Sequence, residues 1–169
     1  MTVKHSINVN VYVENIYDEG TFSQSSLAMT NSIPWSVWIQ TWLDSLDLAE
    51  SVPRGCELSL RLASDGQIQA LNQQYRSLAQ PTDVLAFAAT EAEIALPQEL
   101  QEPLYLGDII ISLDTAQKQA IQQQHSLTVE LAWLSSHGLL HILGWDHPND
   151  DSLQRMLNRQ SELIQLLNL

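Results

Sequence analysis

The chain has 169 residues, of which 44% are hydrophobic, and a chain of this size can bury a full core within one domain. The formal net charge of -13 argues against broad, nonspecific binding to nucleic acid. A single cysteine, Cys56, excludes an intramolecular disulfide and a four-cysteine zinc site. No apolar run approaches the roughly 20 residues of a membrane span, and residues 1–14 do not resemble a secretory signal, so we expect a cytoplasmic protein without membrane contacts.

Strand and helix patterns alternate in the N-terminal part of the chain. Residues 6–13 alternate apolar and polar side chains, which predicts a strand. Residues 14–33 have no clear period and are rich in Ser, Thr and Asn, so we predict a long loop. A helix follows Pro34, and its tryptophans form one stripe that we assign to the core rather than to a binding surface: Trp35, Trp38 and Trp42. Residues 56–64 alternate again and predict a second strand.

The remaining elements complete a layered arrangement. A helix follows the second strand, and two apolar runs at 82–89 and 106–114 predict buried strands. Three helices then follow, of which the second runs into a histidine-rich segment and the last covers 151–167. The order β-α-β-α-β-β-α-α-α predicts an α+β domain, with a mixed four-stranded sheet, helices packed on it and at least one parallel strand pair. We therefore expect one domain over residues 1–169.

Three of the five histidines lie within HGLLHILGWDH, residues 137–147. His137 and His141 are four residues apart, so a helix places both imidazoles on one face. Gly144 can end the helix in a left-handed conformation, and His147 can then return to the same point. Three neutral imidazoles leave one position of a tetrahedral zinc ion open, which is typical of catalytic sites that activate water near neutral pH. The alternative, ordinary hydrogen-bonded histidines, does not explain why the pair, the glycine and the third histidine occur together.

The spacing matches the metzincin motif H-E-x-x-H-x-x-G-x-x-H, except that Gly138 replaces the glutamate that serves those proteases as general base. Peptide hydrolysis by their usual route is therefore disfavoured. Three imidazoles also accept nickel, copper or cobalt, so the motif predicts a metal site without specifying the metal.

Four segments in order resemble the YbeY family of bacterial metal-dependent endoribonucleases, also described as rRNA maturation factors: LNQQYR (71–76), PTDVLAF (81–87), LGDIIIS (106–112) and HGLLHILGWDH. The chain departs from the family pattern at Ala86, Ala88, Ile142 and Trp145, none of which is a proposed ligand. The resemblance covers about residues 55–165. It implies a zinc-dependent, single-strand-specific RNA hydrolase that acts on the 3′ end of small-subunit rRNA and in ribosome quality control. Ribosomal proteins or assembly factors would be its further partners.

Among single residues outside the motif, Arg76 is the candidate for catalysis. The resemblance maps it to an arginine that faces the metal cleft, where a guanidinium can bind phosphate oxygens and stabilise developing charge. The alternative is a salt bridge at a helix end.

Within the motif, we expect Asp146 to act in a turn or to orient an imidazole rather than to bind metal. Trp145 is expected to pack in the core, with stacking on an RNA base as the alternative.

Two other functions remain open from the residues alone. One is a metallohydrolase acting on a peptide or another small substrate, which Gly138 disfavours and the acidic charge mildly supports. The other is a ribosome-assembly binding protein in which the metal is structural. An acidic surface would suit docking onto basic ribosomal proteins.

Overall fold

The computed structural model describes residues 6–48, 55–91 and 103–169, which form a mixed four-stranded sheet with helices packed against it. The strands are β1 (Val9–Asn15), β2 (Cys56–Ala63), β3 (Val84–Ala88) and β4 (Leu104–Ser112). The helices in these ranges are α1 (Gln24–Asn31), α2 (Trp35–Ser45), α3 (Asp65–Arg76), α4 (Leu113–Gln123), α5 (Leu127–Ile142) and α6 (Asp150–Gln165). The predicted α+β class is confirmed. None of the helices in these ranges has the length and apolar character that crossing a membrane requires.

The strand order across the sheet is β1-β2-β4-β3, which leaves β3 at one edge. β1 pairs with β2 and β2 with β4 in parallel, whereas β3 runs antiparallel to β4, with Leu85 opposite Ile110. The predicted parallel pairing is confirmed by β1 and β2, which are linked through helices, as is usual for parallel neighbours. The edge position of β3 matters for function, since an edge strand can form the wall of a cleft.

Alternating side chains divide the core between the two faces of the sheet. On one face, Leu60 of β2 and Ile109 of β4 belong to a large apolar cluster with residues of α2, α5 and α6. On the other, Leu85 and Ile110 form a smaller cluster with Ile68 of α3. The tryptophans of α2 are at most 4% exposed, which confirms their predicted place in the core.

Helix α1 lies within residues 14–33, so the prediction of a long loop there is wrong for Gln24–Asn31. The helix begins after Ser23, whose hydroxyl accepts a hydrogen bond from the Ser26 backbone at 3.1 Å. Its apolar residues show no clear helical period, so the sequence pattern did not predict it. Packing against the rest of the fold stabilises the helix, and Thr30 is fully buried. Strand β1 also lies slightly later than predicted, at Val9–Asn15 rather than 6–13.

A buried carboxylate, that of Asp114 at the start of α4, holds the stretch that precedes α1. Its Oδ1 accepts hydrogen bonds from the Tyr17 hydroxyl at 2.8 Å and from the Thr21 backbone, 93 positions earlier, at 3.1 Å. Its Oδ2 accepts from the Asp65 backbone at 2.9 Å. Because Asp114 is only 5% exposed, these bonds replace the hydrogen bonds to water that the carboxylate lost on burial.

Candidate metal centre

Helix α5 carries the histidine pair and lies unusually close to the sheet at Gly138. A Cβ atom added there would meet Cγ2 of Ile109 at 2.9 Å and Cγ2 of Val84 at 3.4 Å. The absence of a side chain therefore lets the helix approach β3 and β4, which places His137 and His141 beside the edge strand. Position 138 faces the sheet, so the site as packed has no room there for the glutamate of the metzincin motif.

The end of α5 turns the chain back as the spacing predicted. Gly144 has a φ of +95°, in the region that favours glycine. Its N–H donates to the carbonyl of His141 at 3.0 Å, and the N–H of Trp145 donates to that of Leu140 at 2.9 Å. This pair of bonds is the Schellman arrangement for ending a helix. Oδ1 of Asp146 then accepts from the backbone of His147 at 2.8 Å, so Asp146 serves in the turn, as predicted.

The three imidazoles of His137, His141 and His147 converge. Their ring centroids lie 4.5 to 5.8 Å apart, and one ring nitrogen from each falls within 4.8 Å of the others. Nε2 of His137 is 2.9 Å from Nε2 of His141. Within the described residues, no fourth histidine, cysteine or carboxylate joins this group. A set of three imidazole nitrogens fits zinc and, as far as the histidine, cysteine and carboxylate side chains of the described residues go, leaves a fourth position open.

The environment of His141 favours its neutral ring, the form that metal binding requires. Burial lowers the pKa of His141, and positive charge on His137 or His147 would lower it further. His137 and His141 are half-buried, whereas His147 is exposed. An unprotonated imidazole offers its nitrogen lone pair to a cation, so this centre is suited to a metal ion at neutral pH.

A residue that the sequence did not single out contacts the centre from α6. Oε1 of Gln160 lies 3.1 Å from Nδ1 of His137, and Nε2 of Gln160 donates to the Trp133 carbonyl at 3.3 Å. Gln160 is fully buried between Met156 and Leu163 of the same helix face. The only signal in the sequence was this single polar residue within an apolar helical stripe, and nothing local linked it to the histidines.

The centre opens into a cleft of about 590 Å³ between α5 and the edge strand β3. Arg76, at the end of α3, lines the same cleft as His137 and His141. Its Nη2 donates to the Ala86 carbonyl at 3.0 Å and forms an ion pair with Glu91 at 3.3 Å. The structure therefore places the arginine near the histidines, but also gives it the salt bridge that was the alternative expectation.

Charges in this cleft are unevenly distributed. Among the described residues, its lining contains three carboxylates but no lysine, and Arg76 is the one arginine there: the acidic residues are Asp83, Glu91 and Asp146. Trp145 also lines the cleft, and it is partly buried against the large apolar cluster, which agrees with its predicted packing on the core. An anionic substrate would therefore need more positive charge than the side chains provide.

Comparison with known proteins agrees with these features. The sequence model of the family described as endoribonuclease YbeY matches residues 21–168, which extends beyond the 55–165 of the predicted resemblance. A protein of Trichormus variabilis named endoribonuclease YbeY is 50% identical over 143 residues, covering 84% of this chain and 81% of its own length. A Cyanothece protein of the same name is 48% identical over 166 residues, covering 96% and 95%.

A solved structure supports the fold. The solution structure of a Thermotoga maritima protein matches with a TM-score of 0.53 and 23% identity, covering 93% of this chain and 88% of that one. At this identity the match concerns the fold alone. The match to the family model and the identity to several relatives over most of their length lead to one conclusion: the chain belongs to the YbeY family.

Proposed function

We propose that the chain is one metal-dependent hydrolase domain that cleaves phosphodiester bonds within single-stranded RNA. The observation that carries this proposal is the convergence of three imidazole nitrogens in a cleft that also holds Arg76. The name of the relatives, endoribonuclease YbeY, supports the reaction class. Maturation of the 3′ end of small-subunit rRNA and ribosome quality control are the roles that we infer from family membership.

We propose that His137, His141 and His147 hold a zinc ion. When bound, zinc would supply a Lewis acid and lower the pKa of water, and its charge would offset the carboxylates of the cleft. The imidazoles themselves bind through neutral nitrogens. No carboxylate of the described residues belongs to the group, so the protein would add no negative charge at the metal.

Arg76 would bind the phosphate of the substrate. Its guanidinium lies 5.1 Å from the centre of the Phe87 ring and donates to the Ala86 carbonyl, so two contacts hold it beside β3, where Arg76 lines the cleft. The ion pair with Glu91 is about half exposed, and pairs of that kind contribute little stability. A phosphate can therefore replace Glu91 at small cost and accept two hydrogen bonds from the guanidinium.

Backbone bonds along β3 disfavour a peptide substrate. Peptides that bind beside a sheet pair with the free backbone groups of its edge strand. On β3 the N–H of Val84 already donates to Oδ1 of Asp83 at 2.8 Å, and the carbonyl of Ala86 accepts from Arg76. An added peptide strand would have to displace both side chains.

Cleavage of single-stranded RNA by the purified protein, with and without a chelator, tests the proposal. We expect RNA cleavage that stops when the chelator is added and returns with zinc. We expect no hydrolysis of casein. His141→Ala should abolish it, and Arg76→Ala should lower kcat by about 100-fold, since loss of one donor to a developing charge has effects of this order. Arg155→Ala, an exposed arginine of α6, is the matched control. Cleavage that persists in a folded His141→Ala variant would refute the catalytic centre.

The nucleophile is open to a separate test. Either water or the 2′-hydroxyl of the RNA can attack the phosphorus. A substrate with a single 2′-deoxy sugar at the cleavage site distinguishes them, because its cleavage excludes the internal hydroxyl.

The net charge of -13 suits docking onto basic ribosomal proteins, which we propose as partners in the cytoplasm.

A further inference from the structure

Gln160 is a fully buried polar side chain whose role the proposed reaction does not explain. It lies on the inner face of α6, where Met156 and Leu163 are also fully buried. An apolar residue at such a position would avoid the cost of burying an amide. Its contacts, rather than its burial, therefore have to account for its presence.

The hydrogen bonds of Gln160 determine how its amide is oriented. The Trp133 carbonyl can only accept, so the group that faces it at 3.3 Å must be the amide NH₂. The oxygen Oε1 then faces Nδ1 of His137 at 3.1 Å. Because that oxygen can only accept, Nδ1 of His137 has to carry the proton.

The position of this proton decides what His137 offers to the centre. A neutral imidazole has one protonated nitrogen, so a proton on Nδ1 leaves Nε2 with a free lone pair. Nε2 is the atom that lies 2.9 Å from Nε2 of His141. The lone pair is thereby directed at the point where the imidazoles converge.

We propose that Gln160 is a positioning residue that holds His137 in the tautomer able to bind metal. A backbone carbonyl of α5 orients the amide, and the amide in turn orients the imidazole four residues later on the same helix. Acceptors that hold the second nitrogen of a ligating histidine typically affect metal affinity by 10- to 100-fold. This inference rests on the proposed metal site, but the tautomer can be measured without any metal.

Two variants of the full chain, and one control, test the role. Gln160→Met removes the amide while keeping the length and flexibility of the side chain. Gln160→Glu keeps an acceptor for Nδ1, although it loses the donor to Trp133. Gln154→Met, on the exposed face of α6, is the matched control. Thermal unfolding by circular dichroism shows whether each variant folds.

The readouts are the ¹⁵N shifts of the His137 ring in metal-free protein and the Kd for zinc from competition with a chromophoric chelator. We expect the proton on Nδ1 in the parent, a loss of that preference in Gln160→Met, and zinc binding weakened by about 10- to 100-fold. The Kd of Gln160→Glu for zinc should lie within about tenfold of the parent's, even if this variant unfolds at a lower temperature. A purely structural role of Gln160 would instead make zinc affinity fall together with stability.

Three results would overturn the inference: a proton on Nε2 of His137 in the parent, zinc affinity in folded Gln160→Met equal to that of the control, or a loss in Gln160→Glu as large as in Gln160→Met. If Gln160→Met does not fold, the parent tautomer and the Gln160→Glu variant still decide. A parent that binds no zinc refutes the proposed metal centre. If the parent binds zinc and Gln160→Met binds it equally well, only the role of Gln160 is refuted.

Discussion

Replacing Gly138 by alanine tests whether close contact between α5 and the sheet is required. The added Cβ would lie 2.9 Å from Cγ2 and 3.3 Å from Cγ1 of Ile109. Carbon atoms pack best at about 3.5 to 4.0 Å, so the helix and sheet would have to separate by roughly 0.6 Å or more. Ile109 cannot rotate away easily, because it is fully buried and branched at Cβ.

The magnitude follows from two opposing effects. Alanine is favoured over glycine within a helix by about 0.5–1 kcal/mol. Overpacking a well-filled core costs about 1–3 kcal/mol. We therefore expect Gly138→Ala to lower the free energy of unfolding by up to about 2 kcal/mol. Gly66→Ala in α3 is the matched control, since the nearest atom to its added Cβ is 4.0 Å away, and it should stabilise the protein by up to about 1 kcal/mol.

Urea unfolding of the parent and both variants measures these differences. The gap between the two variants isolates the cost of overpacking, because the helix preference for alanine contributes to both. All three imidazoles move with α5 and the turn that follows it, so the Kd for zinc should change less than RNA cleavage does. If Gly138→Ala were as stable as Gly66→Ala, the close approach would not be a constraint and the explanation for the missing glutamate would fail.

Three further predictions concern the turn after α5 and the carboxylates at the starts of α4 and α3. Gly144→Ala should cost about 1–2 kcal/mol of unfolding free energy because its φ is positive, with Gly144→Asn costing less; equal stability of the two in thermal unfolding would contradict this. Asp114→Ala should destabilise the chain by about 1–3 kcal/mol and increase hydrogen exchange at Thr21, since it removes the shared acceptor of several partly buried donors. Unchanged protection of Thr21 would refute that role.

Burial alone would raise the pKa of Asp65, but hydrogen bonds from Ser112, Thr115 and Lys118 outweigh it and lower that pKa. The stability from ionised Asp65 is therefore present above its unfolded pKa and is lost as pH falls through the lowered value. Asp65→Asn should destabilise at pH 7, with a difference that shrinks below about pH 4 in urea unfolding, and a pH-independent difference would contradict this.

Local patterns in the sequence determined most of the secondary structure and the metal-binding motif. Alternation with period two located β1 and β2, continuous apolar runs located β3 and β4, and helix geometry alone placed His137 above His141. Gly144 marked the end of the helix, since few other residues adopt a positive φ. These features depend on residues close together in the chain, so spacing was sufficient to predict them.

Tertiary structure decided the rest, because it depends on which distant surfaces meet. Helix α1 has little periodicity and depends on packing, while the stretch before it is held by Asp114, a residue more than 90 positions later. The edge position of β3 created the cleft, and Arg76 shares it with a Glu91 that no motif connected to it. Gln160 reaches His137 only because α6 packs on α5, and neither its burial nor its amide orientation can be read from residues near it in sequence.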